Sequence, residues 1–161
     1  MILNYNNAYT SNFKITFPKI QELEFYATTT NIPGTVLNAI EIPYQDVRAK
    51  VPDNKYQWDD ITIQFIMDED LYVYELIKRW QVAVRDRAMW QEGLKEINII
   101  PLDSNKVISY SFKLEGAWPN MLSGWQYTTN AISSDIITFD VTFSYQNFSI
   151  AREKPLDFKI V

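Results

Sequence analysis

Near the end of the chain, Ile137, Phe139, Val141, Phe143 and Tyr145 alternate without a break with Thr138, Asp140, Thr142, Ser144 and Gln146. Successive side chains of a strand point to opposite faces. Strict alternation therefore commits this segment to a strand with one face in a core and the other outside it. The same period recurs upstream. Phe13, Ile15 and Phe17 alternate with Asn12, Lys14 and Thr16 and stop at Pro18; Leu23, Phe25 and Ala27 alternate with Glu22, Glu24 and Tyr26 toward Thr30. Ile61, Ile63, Phe65 and Met67 oppose Thr62 and Gln64, Ile97 and Ile99 mark a short strand up to Pro101, and Ile108, Tyr110, Phe112 and Leu114 mark another. A chain dominated by period two is expected to be mainly β.

The period changes once. Val73, Leu76, Ile77, Trp80 and Val84 fall on one stripe of a helix, which the spacing predicts over Glu69 to Trp90. Asp68, Glu69 and Asp70 suit its positive N-terminal end, Lys78, Arg79, Arg85 and Arg87 lie toward the other, and Glu75 precedes Arg79 by four residues. Gly93 is read as the stop. Pro33-Gly34 makes a turn into a strand at Val36 to Ile42, and the prolines of PYQDVRAKVP place Val36 to Val51 in a long projecting hairpin, with Asp53-Asn54-Lys55 as the next turn. Gly116 to Gly124, around Trp118-Pro119, reads as an ordered loop. The expected architecture is a two-sheet β-sandwich or barrel of antiparallel strands with one flanking α-helix and the hairpin.

With 161 residues the chain is long enough to bury its own core and reads as one domain. Its 20 acidic against 15 basic residues and net charge of -5 argue against a surface that grips a nucleic-acid backbone. No cysteine means no disulfide or thiolate chemistry, and no histidine removes the commonest general base and transition-metal ligand. The start MILNYNNAYT lacks a charged n-region and an h-region, and no apolar run approaches the roughly 18 to 20 residues that span a bilayer. The expectation is a protein with no secretion signal and no membrane insertion of its own.

Chemistry finds little purchase. Asp59-Asp60 and Asp68-Glu69-Asp70 flank one predicted strand, and at roughly 3.3 Å per residue they lie too far apart to act as a carboxylate pair. The second cluster does not have EF-hand spacing, and the helix start already accounts for its charge. No serine has an evident activating base, and four glycines make no phosphate loop. The reading is no enzyme, no cofactor and no metal. Asn147-Phe148-Ser149 matches a glycosylation acceptor but, without a signal, reads as chance. Aromatic residues make up 15% of the chain, more than one small core needs, which suits interface anchors or cross-strand pairs; a sugar-binding β-sandwich module is the rival from another class.

Two segments carry a resemblance. NIPGTVLNAIEIPYQDVRAKVPDNKYQWDDITIQFIMDED, Asn31 to Asp70, and FKLEGAWPNMLSGWQYTTNAISSDIITFDVTFSYQ, Phe112 to Gln146, hold in order an Ile-Pro-Gly turn opening a long hairpin, a Trp-Asp-Asp strand ending at an acidic helix start, and a Gly-x-Trp-Pro turn before the last strand. By these the chain resembles the tail tube proteins of contractile-tailed, T4-like bacteriophages and the tube family of contractile injection systems. By order of elements the resemblance runs from Phe13 to Gln146, with 151–161 as a C-terminal extension that has no counterpart.

The resemblance implies a structural virion protein whose hexameric rings stack into the inner tube of a contractile tail, assembled in the host bacterial cytoplasm. Its partners would be further copies, the tail sheath, the baseplate, the tape-measure protein and transiting DNA. Inter-ring contacts would fall on Tyr44, Gln45, Asp46, Arg48, Lys50 and Trp58, and the contact of the helix between subunits on Tyr72, Glu75 and Arg79. Thr138, Asp140, Thr142 and Ser144 would line the lumen. A baseplate initiator ring, a tail-terminator ring and a cell-derived injection system share the fold and stay open as alternatives.

Overall fold

The computed structural model describes residue 8 and residues 10–86, 90–129 and 135–153. Their strands are β1 (Phe13–Thr16), β2 (Ala27–Thr30), β3 (Thr35–Tyr44), β4 (Val47–Trp58), β5 (Ile61–Ile66), β6 (Lys95–Pro101), β7 (Tyr110–Leu122), β8 (Thr138–Ser144) and β9 (Asn147–Arg152). The helix α1 (Tyr72–Arg85) and the single turn α2 (Trp90–Gly93) lie between β5 and β6. All pairings are antiparallel, in the order β1-β6-β7-β8-β5-β2 with β9 also on β7, while β3 and β4 form a two-stranded sheet of their own. The fold is a mainly β, sandwich-like one with one helix of 14 residues, as the alternation predicts.

The core sits where the alternation puts it. Phe139, Val141 and Phe143 of β8 lie opposite Phe65, Ile63 and Ile61 of β5, and all six are buried. Trp80 of α1 packs on Phe143 at 5.5 Å between ring centroids and Tyr74 on Phe139 at the same distance, so the helix covers the inner side of this pair. From the other half, Ile15, Ile97, Ile99 and Leu114 join the same cluster. Phe17 bridges the halves, with its ring 6.2 Å from Phe65 and 6.3 Å from Phe143. Each such fully buried apolar side chain contributes about 1.5–3 kcal/mol, which makes this cluster the main source of stability.

β7 is shared between the two halves. Its residues from Tyr110 to Ala117 pair with β6 and β9, and those from Trp118 to Leu122 with β8. At the changeover Gly116 has φ 65°, a left-handed value that glycine adopts freely, and a Cβ there would meet the Gln146 side chain at 2.5 Å. The expected loop from Gly116 to Gly124 is thus largely strand: Trp118-Pro119 sits inside β7, with a register shift between Pro119 and Met121. Glycine and proline mark a bend and a bulge here, not a loop.

Three further expectations are corrected. Leu23 to Phe25 belongs to a 3₁₀ turn, Gln21–Phe25, in which Leu23 is fully buried and Phe25 is 87% exposed. Pro18 ends β1, and the Phe17 N–H donates to the Glu24 carboxylate at 2.9 Å, coiling the segment before β2 begins. Asp53-Asn54-Lys55 is not a turn but the bulged middle of β4, two residues longer than the facing stretch around Asn38. The helix is shorter than Glu69 to Trp90: it opens after Leu71, whose φ is 60°, and closes at Arg85. Arg87 lies outside the described residues. Asp68 accepts the N–H groups of Tyr72 and Val73, at 3.1 Å each, so its role at the helix start stands although it precedes the first helical residue by four positions. Gly93 ends α2, and its carbonyl accepts the Trp80 indole N–H at 2.5 Å. Most of the C-terminal extension, 154–161, lies outside the described residues, but Ala151 and Arg152 complete β9. Among the described residues no helix is long and apolar enough to cross a membrane.

Candidate assembly surfaces

The hairpin of β3 and β4 has two unlike faces. Its register opposes Ile40 to Val51, Ile42 to Ala49 and Tyr44 to Val47, while Ala39 opposes Pro52, Glu41 opposes Lys50 and Pro43 opposes Arg48. Directly opposed residues share a face, so one side is wholly apolar and the other carries the charges. The tip is a two-residue turn at Gln45-Asp46, with Gln45 at φ 52°. Among the described residues nothing covers the outer part of the apolar side: Ile40 and Ile42 are 48% exposed, Tyr44 and Val47 68%. A two-stranded hairpin alone is marginally stable in water, and a contiguous apolar strip on an arm is a candidate contact surface.

Against this geometry the six expected inter-ring residues divide. Tyr44 lies on the apolar side, Gln45 and Asp46 at the tip, and Arg48 and Lys50 on the charged side. Trp58 stands at the far end, opposite Thr35. The expected set does not name Ile40, Ile42, Val47, Ala49 and Val51, which complete the apolar side. Their signal is present as alternation in both arms, but it becomes a face only when the pairing across Gln45-Asp46 is known.

Trp58 joins the hairpin root to the body. Its ring stacks on Tyr145, at 6.1 Å and 12° between planes, and Tyr56 packs edge-on against it at 5.4 Å. The Tyr145 hydroxyl donates to the Asp59 carbonyl at 2.5 Å, and burial, with smaller contributions from the Asp60 and Asp59 charges, pushes this phenol up to about 12.

Tyr72, Glu75 and Arg79 form one exposed stripe of α1, turned away from Val73, Ile77 and Trp80. Arg79 Nη2 and Glu75 Oε1 are 2.6 Å apart, an i,i+4 ion pair in solvent. Thr138, Asp140, Thr142 and Ser144 share the outer face of β8, beside Thr62, Gln64 and Ile66 of β5. The Thr62 and Thr142 hydroxyls are 3.4 Å apart, and Asn120 Nδ2 donates to Ser144 Oγ at 2.6 Å and to Asp60 Oδ2 at 3.0 Å. Neither β5 nor β8 contains a Lys or Arg, so this face is polar and slightly acidic.

The other half differs. There Lys113 lies 3.4 Å from both Glu96 and Glu115. Hydrogen bonding to Glu115 and the charge of Glu96 raise its pKa, and hydrogen bonds from Asn147 and Lys113 lower that of Glu115. The two halves thus present chemically distinct outer faces, one ion-paired and one of hydroxyls and amides.

Among the described residues no three carboxylates converge as a metal site would require. Among the described residues the most exposed rings are Phe25, Tyr44, Tyr56 and Tyr127, of which Tyr44 and Tyr56 belong to the hairpin. What the surface offers is contact area.

Comparison with known proteins agrees with an assembly role. Residues 2–151 match the family model described as phage tail tube protein. The tail tube terminator protein of Enterobacteria phage T4 is 23% identical over 163 residues, covering 92% of each chain. Among solved structures, the tube-terminating cap of the anti-feeding prophage superposes with a TM-score of 0.73 at 17% identity, over 94% of this chain and 95% of that one. The sheath/tube terminator of an extracellular contractile injection system, PVC, gives 0.67 at 14% identity, over 92% and 99%. The two superpositions establish a shared fold.

Proposed function

The chain belongs to the phage tail tube protein family, matched over residues 2–151, and on that premise we propose that it is a tube terminator: a ring of identical copies that caps the end of a tail tube. The observation that carries this reading is the T4 terminator, related to this chain along 92% of both lengths. The fold shared with the anti-feeding prophage cap supports it. The same relatives support a structural role in the tail. The repeating tube subunit, which the sequence resemblance puts first, is the second reading, favoured by the description of the family model itself.

The ring would be built from surfaces that one copy leaves unsatisfied. Among the described residues β1 pairs only with β6, β2 only with β5 and β9 only with β7, so three strands offer an open edge for a neighbouring copy. The apolar side of the hairpin, around Ile42 and Tyr44, packs on an adjacent subunit or on the last tube ring, with Gln45, Asp46, Arg48 and Lys50 at its polar margin. The stripe Tyr72, Glu75 and Arg79 lies between subunits. In a hexamer the face of Thr138, Asp140, Thr142 and Ser144 lines the channel, where a surface without cations lets DNA and a tape-measure protein pass without sticking. The sheath end is the outer partner, by analogy with the PVC sheath/tube terminator. The baseplate is met only through the tube.

Negative-stain electron microscopy of the purified protein, alone across a concentration series and then with preformed tubes of its own tail, tests this reading. Single rings that bind tube ends and stop further growth are the expected result. Self-stacking into long tubes would replace it with the tube-subunit reading, and a monomer at every concentration that ignores tube ends would overturn both.

A further inference from the structure

We propose that Trp58 and Tyr145 form a latch that holds the β3–β4 hairpin at one angle to the body and so sets where its apolar side is presented. Packing along the arm cannot set that angle. β3 is exposed at every residue, and the strand it packs against extensively is β4. The chain enters the arm from β2 through 31–34 and leaves it through Asp59 and Asp60 into β5, and β2 and β5 are themselves paired. Two short links side by side make a pivot unless contacts at the root stop it.

The root supplies those contacts on both links. On the outgoing side the Trp58 ring lies flat on Tyr145, whose hydroxyl holds the Asp59 carbonyl. On the incoming side Asn31 Oδ1 accepts the Thr62 N–H at 2.7 Å, and the Gly34 carbonyl accepts the Asp59 N–H at 3.0 Å, tying the links together. They approach so closely that a Cβ on Gly34 would come within 2.9 Å of Asp59 Oδ2. Tyr145 does not move with the arm: it is 7% exposed, packs on Phe148 at 6.4 Å and directly follows β8. The arm is therefore referenced to the strand that carries Asp140 and Thr142, and Trp58 and Tyr145 are positioning residues that lie off the hairpin's apolar side. The latch stands on this geometry; its consequence for assembly rests on the reading of the hairpin as a contact surface.

Because the chain contains no cysteine, Lys14→Cys on β1 and Lys50→Cys on the arm accept a pair of spin labels without interference, in protein diluted with unlabelled chain. Pulsed dipolar spectroscopy should give a narrow distance distribution for this background. It should broaden and shift when Trp58→Ala, or Tyr145→Phe, which removes only the hydroxyl, is added. A distribution unchanged in either variant, with near-ultraviolet circular dichroism showing an intact body, would overturn the latch. If Trp58→Ala fails to fold, Trp58→Leu and Tyr145→Phe decide the matter. A broadened arm with undiminished assembly would overturn the hairpin as the contact surface while leaving the latch in place.

Discussion

Arg48 reaches across the hairpin to Glu41, Nη1 3.4 Å from Oε2, on the side opposite Ile42 and Ala49. Both charged side chains are largely in solvent, at 81% and 48% exposure, so the pair itself contributes about 0–1 kcal/mol. The two sides of the arm should therefore respond differently to substitution.

Glu41→Gln should leave assembly nearly unchanged. Ile42→Asp places a charge on the apolar side and should weaken ring formation by about 2 kcal/mol or more, roughly 30-fold in concentration. The melting temperature of the monomer should not move, since Ile42 is exposed there. Sedimentation velocity and thermal denaturation separate the two effects, and an Ile42→Asp protein that assembles normally removes the apolar side from the interface.

Of the three acids before α1, only Asp68 accepts two helical N–H groups, those of Tyr72 and Val73. Asp68→Ala should cost about 0.5–2 kcal/mol of stability, and Asp70→Ala, at an exposed site, within about 0.5 kcal/mol. Urea denaturation of both proteins checks the order, and equal effects would mean that charge near the helix end matters more than the hydrogen bonds.

Tyr145 gives a pH dependence whose sign follows from its raised pKa. The folded protein keeps this phenolic proton up to about 12, whereas the unfolded chain releases it near 10.0. Between those values the unfolded state binds fewer protons, so stability is intact below pH 10 and is lost as pH rises through about 12. Melting temperatures measured across this window should fall less steeply for Tyr145→Phe. A slope identical to that of the parent would show that other groups govern alkaline unfolding.

The polar face of β8 tests the channel reading. Asp140→Lys with Thr142→Lys should leave folding within about 1 kcal/mol, because both side chains point away from the core. Ring formation should persist, while cationic side chains retain the phosphate backbone and slow DNA ejection in a reconstituted tail. Unchanged infectivity would place the lumen on a different face.

The strands and the helix were legible because their signals are local. Alternation at Ile137 to Gln146 and the stripe from Val73 to Val84 each report which side of one element is buried, and β8 and α1 bury those sides. Two of the misreadings share one cause. At Asp53-Asn54-Lys55 and at Gly116 to Pro119 residues that usually end strands sit inside them, because a partner strand supplies hydrogen bonds that carry the chain through a bulge or a bend. At Leu23 to Phe25 apolar spacing imitated a strand, where the Glu24 carboxylate and Pro18 favour a turn.

By itself, then, the sequence determined the mainly β class, the position of the helix, the core faces of β1, β5, β6 and β8, and a hairpin over Val36 to Val51, all properties that a stretch of chain carries within its own period. Only the tertiary structure decided that Ile40, Ile42, Tyr44, Val47, Ala49 and Val51 share one apolar side, exposed from Ile40 to Ala49, and that Trp58 belongs to the root with Tyr145. Those depend on which residues, distant in the chain, become neighbours: register creates a face from two strands, and a surface becomes an interface only where no other part of the same chain arrives to cover it.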